Sequence, residues 1–314
     1  MDAKKIAFFE PFYGGSHKAF ADGLVRHSRH EIDLFTLPDR FWKWRTRGAA
    51  LEFYRQVPDP SGYDLVIGAS MMNLAELKGL WGRPVKTIQY FHENQLTYPW
   101  PEGEEPDANH VMTDLLSAIA SDALLFNSKS HLEAFVLKAS EFAARMPDTK
   151  PEWIVQIIED RGEVLYPGVE PGEPPPFKGR SSRDPHRAPT ILWNHRWEYD
   201  KAPEDFFEAL RRLRKAEAHF ELVLLGDRAK KPHPSLEAIA KEFSDRILFN
   251  GFANLADEYR QWLWRSDILV STAIQENFGI SCVEAMRWGC FPLLPNRLSY
   301  PEIVPSKLHC QCLY

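Results

Sequence analysis

Short apolar runs alternate along the chain with stretches whose apolar residues recur at the spacing of a helix face. The apolar runs predict strands, namely Ile6–Glu10, Asp64–Ala69, Lys86–His92, Ala123–Asn127, Glu163–Tyr166, Thr190–Asn194, Glu221–Gly226, Arg246–Asn250, Asp267–Ser271 and Phe291–Leu294. Most are apolar throughout, which is typical of parallel strands that are covered on both faces. The stretches between them, such as Glu204–Lys215, predict helices. Repeated strand–helix units predict α/β folding with parallel sheets.

A proline-rich segment divides these units into two groups. Residues 171–189, which include Pro174, Pro175 and Pro176, predict a stiff, extended linker. We therefore expect a Rossmann-like N-terminal domain over residues 1–170 and a Rossmann-like C-terminal domain over residues 190–314, each with a doubly wound parallel sheet. Two such domains facing a cleft would bind ligands there, at the carboxyl ends of their strands.

Composition and charge narrow the class of protein. The 314 residues carry a net charge of −6, which disfavours a general nucleic-acid binder but allows a local basic patch. No apolar run approaches the ~20 residues of a membrane span, and the first residues lead into a strand rather than a signal peptide. The four cysteines show no zinc-site spacing. We expect a cytoplasmic protein with reduced thiols, no membrane partner and no metal.

The segment after Asp267–Ser271 carries the most informative chemistry. Glu276 precedes Asn277-Phe278-Gly279-Ile280, where a helix is predicted to begin, and Glu284 lies on that helix. A helix N-terminus that begins with glycine suits a phosphate. Eight helical residues span about 12 Å, more than the ~5–9.5 Å between paired glycosidase carboxylates, so the two glutamates would hold two ends of one long ligand. The alternative is a pair of solvated carboxylates without a ligand.

Arg196 and Lys201 form a second candidate group. They follow the strand Thr190–Asn194 and precede a helix that is predicted to begin near Pro203. Two cations at a strand end can neutralise a diphosphate, Arg with its fork geometry and Lys as a point charge. The alternative is an ordinary exposed pair.

Two strand ends in the N-terminal half supply further candidates. After the first strand, Gly14 and Gly15 would let a ligand approach the backbone, and Ser16 would cap the next helix. The dinucleotide-binding pattern is incomplete, because no acidic residue on a second strand is apparent. After a later strand, His92 begins a run of four polar side chains on the side where such sheets bind ligands. A plain tight turn and a structural histidine are the alternatives.

These motifs resemble those of a known superfamily. Glu276 and Glu284 resemble the E-x7-E signature of retaining glycosyltransferases with the GT-B fold, and Arg196 with Lys201 resembles their diphosphate-binding pair. The resemblance implies that Arg196 and Lys201 clamp the donor diphosphate, that Glu276 contacts the hydroxyls of the donor sugar, and that Glu284 binds the nucleotide ribose. The donor-binding segment would be Asn277-Phe278-Gly279-Ile280, whose backbone supports the sugar and β-phosphate.

Three further segments resemble a narrower family. Glu10–Lys18, Tyr90–Pro99 and Pro295–Glu302 are similar to segments of the tRNA-queuosine α-mannosyltransferases, and the resemblance spans nearly the whole chain. It implies transfer of mannose from GDP-mannose to the cyclopentenediol of queuosine in the anticodon loop of a tRNA, usually the aspartate tRNA, without a metal cofactor. His92 would reach the donor sugar as a catalytic residue, and Gly14-Gly15 would lie near the diphosphate.

Arg40–Arg47 is the candidate surface for the acceptor. It contains four cations, three aromatic residues and no acid. Cations that meet phosphates and aromatic rings that stack on bases are what single-stranded RNA recognition uses. The alternative is a basic surface helix whose tryptophans lie in the core.

Three other functions remain open. The chain could be a GT-B transferase with another nucleotide sugar or a lipid or small-molecule acceptor, a sugar-nucleotide epimerase of similar fold, or a non-catalytic module that binds RNA or a nucleotide sugar. An assay with donor alone separates the epimerase from the transferases. GT-B chains usually continue beyond the equivalent of Tyr314 into C-terminal helices, so we expect either a shortened fold or missing helices, with consequences for domain closure.

Overall fold

The computed structural model describes residues 2–99, 107–170, 172, 187–226 and 240–314. The chain divides into two compact units, Met1–Glu170 and Pro171–Tyr314. The first unit ends at the residue where the predicted N-terminal domain ends. The proline run of the predicted linker, Pro174 to Pro176, lies outside the described residues.

The first unit is built on a six-stranded parallel sheet. Its strands are β1 (Lys5–Tyr13), β2 (Glu31–Pro38), β3 (Leu65–Ala69), β4 (Thr87–Phe91), β5 (Ala123–Phe126) and β6 (Gly162–Val164). Its described helices are α1 (Gly15–His27), α2 (Trp42–Gln56), α3 (Leu74–Trp81), α4 (Ala108–Ala120), α5 (Lys129–Arg145) and α6 (Trp153–Arg161). The strand order is β2-β1-β3-β4-β5-β6. The chain therefore changes direction across the sheet between β1 and β3, which is where such sheets bind ligands.

The second unit is built on a five-stranded parallel sheet in the order β11-β10-β7-β8-β9. Its strands are β7 (Thr190–Asn194), β8 (Glu221–Leu225), β9 (Ile247–Gly251), β10 (Ile268–Val270) and β11 (Phe291–Leu293). Its described helices are α7 (Pro203–Lys215), α8 (Ala256–Arg265), α9 (Ile280–Arg287), α10 (Tyr300–Ile303) and α11 (His309–Cys312). The switch point here lies between β7 and β10.

The predicted strands are all present, most of them with shifted ends, but β2 was not predicted. Its sequence places Glu31, Asp33 and Thr36 among apolar residues, and most of its side chains are only partly buried. As an edge strand of the sheet, β2 is covered less completely than the central strands, so it lacks the continuous apolar run that identifies them. The central strands β3 and β8 are buried almost throughout, as predicted.

Both faces of the second sheet are covered by apolar side chains. On one face Trp193 of β7 packs with Phe206, Phe207 and Leu210 of α7. Proline at the first position of α7 and acidic residues in its first turn favour the start of this helix.

All four cysteines belong to this unit and are free thiols; Cys310 is exposed and the others are buried. No helix among the described residues is long and apolar enough to cross a membrane.

Candidate functional site

The second unit collects three predicted residues at its switch point. Arg196 follows β7, and Lys201 ends the short 3-10 turn Tyr199–Lys201 that leads into α7. Glu276 lies in the loop between β10 and α9. Because β7 and β10 are neighbouring parallel strands, the segments that follow them meet at the carboxyl edge of the sheet.

Lys201 is a buried cation held by three oxygen atoms. Its Nζ donates to the carbonyl of Gln275 at 2.7 Å and to Glu276 Oε2 at 3.2 Å, and it lies 3.1 Å from Asp200 Oδ2. Burial disfavours the ammonium charge, but Glu276 and Asp200 outweigh burial and raise the pKa of Lys201. Lys201 is therefore charged, and its charge is balanced inside the protein.

Glu276 connects this cation to the N-terminus of α9. Its Oε1 accepts a hydrogen bond from the backbone N–H of Gly279 at 3.1 Å, while its Oε2 meets Lys201. Gly279 precedes the first residue of α9 with φ of +87°, a conformation that favours glycine. Although burial alone would raise the pKa of Glu276, the charge of Lys201 lowers it. The carboxylate is therefore ionised and fixed at both oxygens.

Arg196 differs from Lys201 because it reaches the solvent. Its side chain is 63% exposed, and its Nη2 lies 3.3 Å from Glu198. The donor-binding segment Asn277–Ile280 leads into α9, with Phe278 buried and Asn277 accepting a hydrogen bond from Gln275 at 2.9 Å. An exposed guanidinium and a helix N-terminus thus lie on segments that follow neighbouring strands.

Glu284 lies on α9 and is bound by a tyrosine that the motifs did not indicate. Tyr259 of α8 donates its hydroxyl hydrogen to Glu284 Oε2 at 2.7 Å. Asn194, the last residue of β7, donates to the same hydroxyl at 2.8 Å. Burial raises the pKa of Glu284, and Tyr259 opposes that rise.

In the first unit, His17 lies between two carboxylates. Its Nδ1 is 3.0 Å from Glu10 Oε1 and its Nε2 is 2.9 Å from Glu93 Oε2. Both nitrogens can donate only in the doubly protonated imidazolium. Burial opposes this charge, but Glu93 and Glu10 outweigh burial and raise the pKa of His17 to about 10. Although burial alone would raise the pKa of Glu10, His17 lowers it to about 2.

His92 follows β4 and belongs to the same cluster. It is 8% exposed, its ring stacks on His17 with centroids 4.0 Å apart, and its Nε2 is 3.4 Å from Glu10 Oε2. Burial and the charge of His17 lower the pKa of His92, so its ring is neutral at neutral pH. His92 thus lies at the carboxyl edge of the sheet, and its contact with a donor sugar stays a prediction.

Glu10, His17 and His92 form a group of possible metal ligands within the described residues, with ligand atoms inside 4.8 Å of one another. The planes of the two imidazole rings meet at 25°, with centroids 4.0 Å apart. An imidazole binds a metal through a ring nitrogen, whose lone pair lies in the ring plane. Two stacked, nearly parallel rings cannot direct both lone pairs at one ion. The geometry therefore fits an ionic network better than a metal site.

Gly14 and Gly15 join β1 to α1. Gly14 occupies the N-cap position without a side-chain cap, so the prediction that Ser16 caps this helix is wrong, and Ser16 lies inside α1. A Cβ on Gly14 would lie 2.0 Å from Asp39 Oδ2. Glycine thus allows Asp39, which directly follows β2, to pack against the turn. An acid at the end of a second strand is therefore present, although the sequence pattern did not indicate it because β2 was missed.

The basic segment Arg40–Arg47 includes the first turns of α2 and lies largely on the surface. Phe41 is 71% exposed and Trp44 is 70% exposed, while Trp42 is partly buried. The alternative that both tryptophans lie in the core is therefore wrong for Trp44. An exposed indole among cations is what stacking on an unpaired base requires.

Sequence reasoning missed most of the buried polar partners at both sites. Glu10, His17 and Glu93 lie in the segments Glu10–Lys18 and Tyr90–Pro99, which resemble segments of a known family, so a sequence signal existed for them. Asp114 had none: burial raises its pKa to about 7, and its carboxylate accepts from the backbone N–H of Gln95 at 2.7 Å.

Solved structures share this two-unit architecture. The chain is similar to Anabaena HepE in complex with UDP-glucose (15% identity, TM-score 0.65, covering 99% of this chain and 85% of that chain). It is also similar to the catalytic domain of Arabidopsis thaliana starch synthase IV bound to ADP and acarbose (12% identity, TM-score 0.67, 96% and 84% covered). Residues 177–308 match the glycosyl transferases of group 1. The fold is therefore GT-B, and the protein is a hexosyltransferase.

Two sequence comparisons narrow this class. Residues 5–169 match the N-terminal domain of tRNA-queuosine alpha-mannosyltransferases. A Drosophila melanogaster tRNA-queuosine alpha-mannosyltransferase is 34% identical over 313 residues, covering 96% of this chain and 82% of the relative. The chain belongs to the tRNA-queuosine alpha-mannosyltransferase family.

Proposed function

We propose that the protein transfers mannose from GDP-mannose to queuosine in a tRNA, with retention of the anomeric configuration. The observation that carries the donor half is the group formed by Lys201, Glu276 and the N-terminus of α9 at the switch point of the second sheet. The family relationship and the name of the Drosophila relative support the acceptor and the mannose.

The donor diphosphate would be stabilised by fixed charges and dipoles. Arg196 is exposed and would meet the diphosphate as a fork, while the N–H groups of α9 and the charge of Lys201 would stabilise the negative charge that develops on the leaving group. Glu276 is held at both oxygens and can still accept hydrogen bonds from sugar hydroxyls through its remaining lone pairs. The departing phosphate would assist deprotonation of the acceptor hydroxyl.

We propose that this reaction needs no metal ion. Arg196 and Lys201 would neutralise the diphosphate in place of a metal, and the stacked rings of His17 and His92 suit a metal poorly. Treatment with EDTA should leave the transfer rate unchanged. A complete loss that manganese or magnesium restores would contradict this part of the proposal.

The acceptor would be recognised by the first unit. The exposed Trp44 and the cations of Arg40–Arg47 offer stacking and phosphate contacts to the unpaired bases of an anticodon loop. Because the whole chain carries a net charge of −6, this local group of cations is a better indication of tRNA binding than the overall charge.

The direct test is incubation with labelled GDP-mannose and queuosine-containing tRNA, followed by analysis of the nucleosides. The matched control is the same tRNA with unmodified guanosine at that position, which should take up no label. Incubation without tRNA tests the epimerase alternative, because an epimerase would convert the donor on its own. Label on lipid or small glycosides but not on tRNA would contradict the proposed acceptor.

The donor is tested separately by thermal stability. GDP-mannose should raise the melting temperature more than UDP-glucose, since a ligand at one hundred times its Kd adds ~2.7 kcal/mol. A shift with UDP-glucose alone would contradict the proposed donor.

A further inference from the structure

A chain of three polar groups ends at Glu284: Asn194 is buried, and Tyr259 and Glu284 are partly buried. The amide of Asn194, at the end of β7, donates to the hydroxyl of Tyr259 at 2.8 Å, and that hydroxyl donates to Glu284 Oε2 at 2.7 Å. The chain thus joins a strand end, α8 and α9. The mechanism above uses Glu284 but neither of the other two residues.

The direction of these hydrogen bonds is determined by their partners. The same amide nitrogen of Asn194 also lies 3.2 Å from the carbonyl oxygen of Ser281, which can only accept. The amide is therefore oriented with its NH2 group toward Tyr259. The tyrosine oxygen accepts from Asn194, so its one hydrogen is available for the carboxylate of Glu284.

The tyrosine therefore occupies one side of the carboxylate. Oε2 of Glu284 is bound to Tyr259, and among the described residues no hydrogen bond to Oε1 is present, so a ligand hydroxyl can bind there. A carboxylate that is held in this way loses less rotational freedom when it binds a ligand.

We propose that Tyr259 is a positioning residue for the donor: it fixes Glu284 so that Oε1 of the carboxylate accepts a hydrogen bond from a ribose hydroxyl of the nucleotide. This inference rests on the proposed use of a nucleotide sugar. Asn194 acts one step further away, by orienting Tyr259.

The proposal has a pH signature. Burial raises the pKa of Glu284, while Tyr259 and the nearby guanidinium of Arg260, both on α8, lower it. On α9, the buried thiol of Cys282 faces the tyrosine, and burial keeps that thiol protonated by raising its pKa. Removal of the tyrosine hydroxyl should raise the pKa of Glu284 further. Donor binding, which needs the ionised carboxylate, should then be lost at a higher pH than in the wild type.

Tyr259→Phe tests the proposal by calorimetry with GDP and UDP, which both contain ribose. We expect about ten-fold weaker binding of whichever nucleotide the wild type binds, because a hydrogen bond to a charged group is lost. The loss of nucleotide binding at acidic pH should occur at a higher pH than in the wild type. The turnover rate at saturating donor should stay near that of the wild type.

A 2′-deoxy nucleotide distinguishes positioning from a structural effect. The wild type should bind GDP more tightly than 2′-deoxy-GDP. This difference in affinity should be smaller in Tyr259→Phe. In the Glu284→Gln background the tyrosine substitution should add little further loss. Tyr314→Phe is the matched control: it removes a hydroxyl that donates to the carbonyl of Ser271 at 2.7 Å in the same unit, and it should bind as the wild type does.

If Tyr259→Phe binds the nucleotide with the affinity, pH dependence and ribose preference of the wild type, the inference is wrong. The proposed transfer reaction would not be affected by that result. If the wild type binds UDP but not GDP, the GDP donor fails and the tyrosine is judged with UDP. If it binds neither nucleotide, the donor site and this inference fail together.

Discussion

Both units place a buried cation between two carboxylates at the carboxyl ends of parallel strands. In the first unit His17 is held by Glu10 and Glu93. In the second unit Lys201 is held by Asp200 and Glu276. The same electrostatic solution therefore occurs on two sheets, although no repeat is evident in the sequence.

The two clusters differ in what they leave available to a ligand. His17 has two N–H groups, and both are directed at carboxylates, so its cluster is closed and ties β1, α1 and the segment after β4 together. The cluster of Lys201 continues to the N-terminus of α9, and the exposed Arg196 follows β7, as Lys201 does. We infer that the first cluster holds the unit's ligand-binding edge in shape, while the second meets the donor.

The largest effect should come from Lys201→Met, which breaks the second cluster. It leaves Asp200 and Glu276 buried without their cation, and breaking a buried pair costs about 3–5 kcal/mol. We expect this loss in chemical denaturation and almost no transfer activity. Normal stability with normal transfer would remove Lys201 from both the structure and the clamp.

His17→Gln tests the first cluster by the same reasoning. The free energy of unfolding should fall by about 3–5 kcal/mol, since Glu10 and Glu93 lose a buried partner. Lys18→Gln, at the exposed neighbouring position, is the control and should change stability little. Donor binding by folded His17→Gln should be retained, because the proposed donor site lies in the second unit. Loss of donor binding would instead assign His17 to the donor site.

The pH dependence separates the imidazolium from the ammonium. The pKa of His17 is raised from 6.5 to about 10, so its contribution to stability is complete below pH 6.5 and is lost as the pH rises toward 10. The difference in unfolding free energy between the wild type and His17→Gln should therefore shrink between pH 6.5 and 10. The corresponding difference for Lys201→Met should persist over this range, because the pKa of Lys201 is raised above that of an ordinary lysine.

Arg196→Ala should separate catalysis from stability. The side chain is 63% exposed, so the melting temperature should not change, but the transfer barrier should rise by about 2–4 kcal/mol, as for the loss of one oxyanion donor. Transfer rates and thermal unfolding of the same preparation check both expectations. Wild-type turnover would remove Arg196 from the diphosphate clamp.

The smallest effect concerns the first unit alone. Replacing Lys43, Arg45 and Arg47 with Ala should weaken tRNA binding and leave GDP-mannose binding unchanged. Each lost phosphate contact should flatten the salt dependence of the tRNA affinity by about 0.7–0.9 units of slope. Unchanged affinity and unchanged slope would mean that these cations only solvate α2.

The sequence-based predictions were most accurate for elements whose side chains are all equally buried. Thr190–Asn194 is buried at every position and agrees with β7 at both ends, whereas β2 is an edge strand with mixed side chains and was missed. Glu276, Lys201 and Arg196 were predicted as site residues because their spacing belongs to a known motif, and the structure brings Lys201 and Glu276 into contact. Tyr259 could not be, because its partners Asn194 and Glu284 lie 65 and 25 residues away and only the folded sheet brings them together.

The positions of the cysteines allow thiol labelling to report on the second unit alone. Cys310 is exposed while Cys282, Cys290 and Cys312 are buried, and the first unit contains no cysteine. A colorimetric thiol reagent should therefore titrate one group in the native protein and four after denaturation. The slow phase of labelling measures how often the surroundings of the three buried thiols open. Because Cys282 lies on α9, two residues before Glu284, its share of that phase reports on this helix.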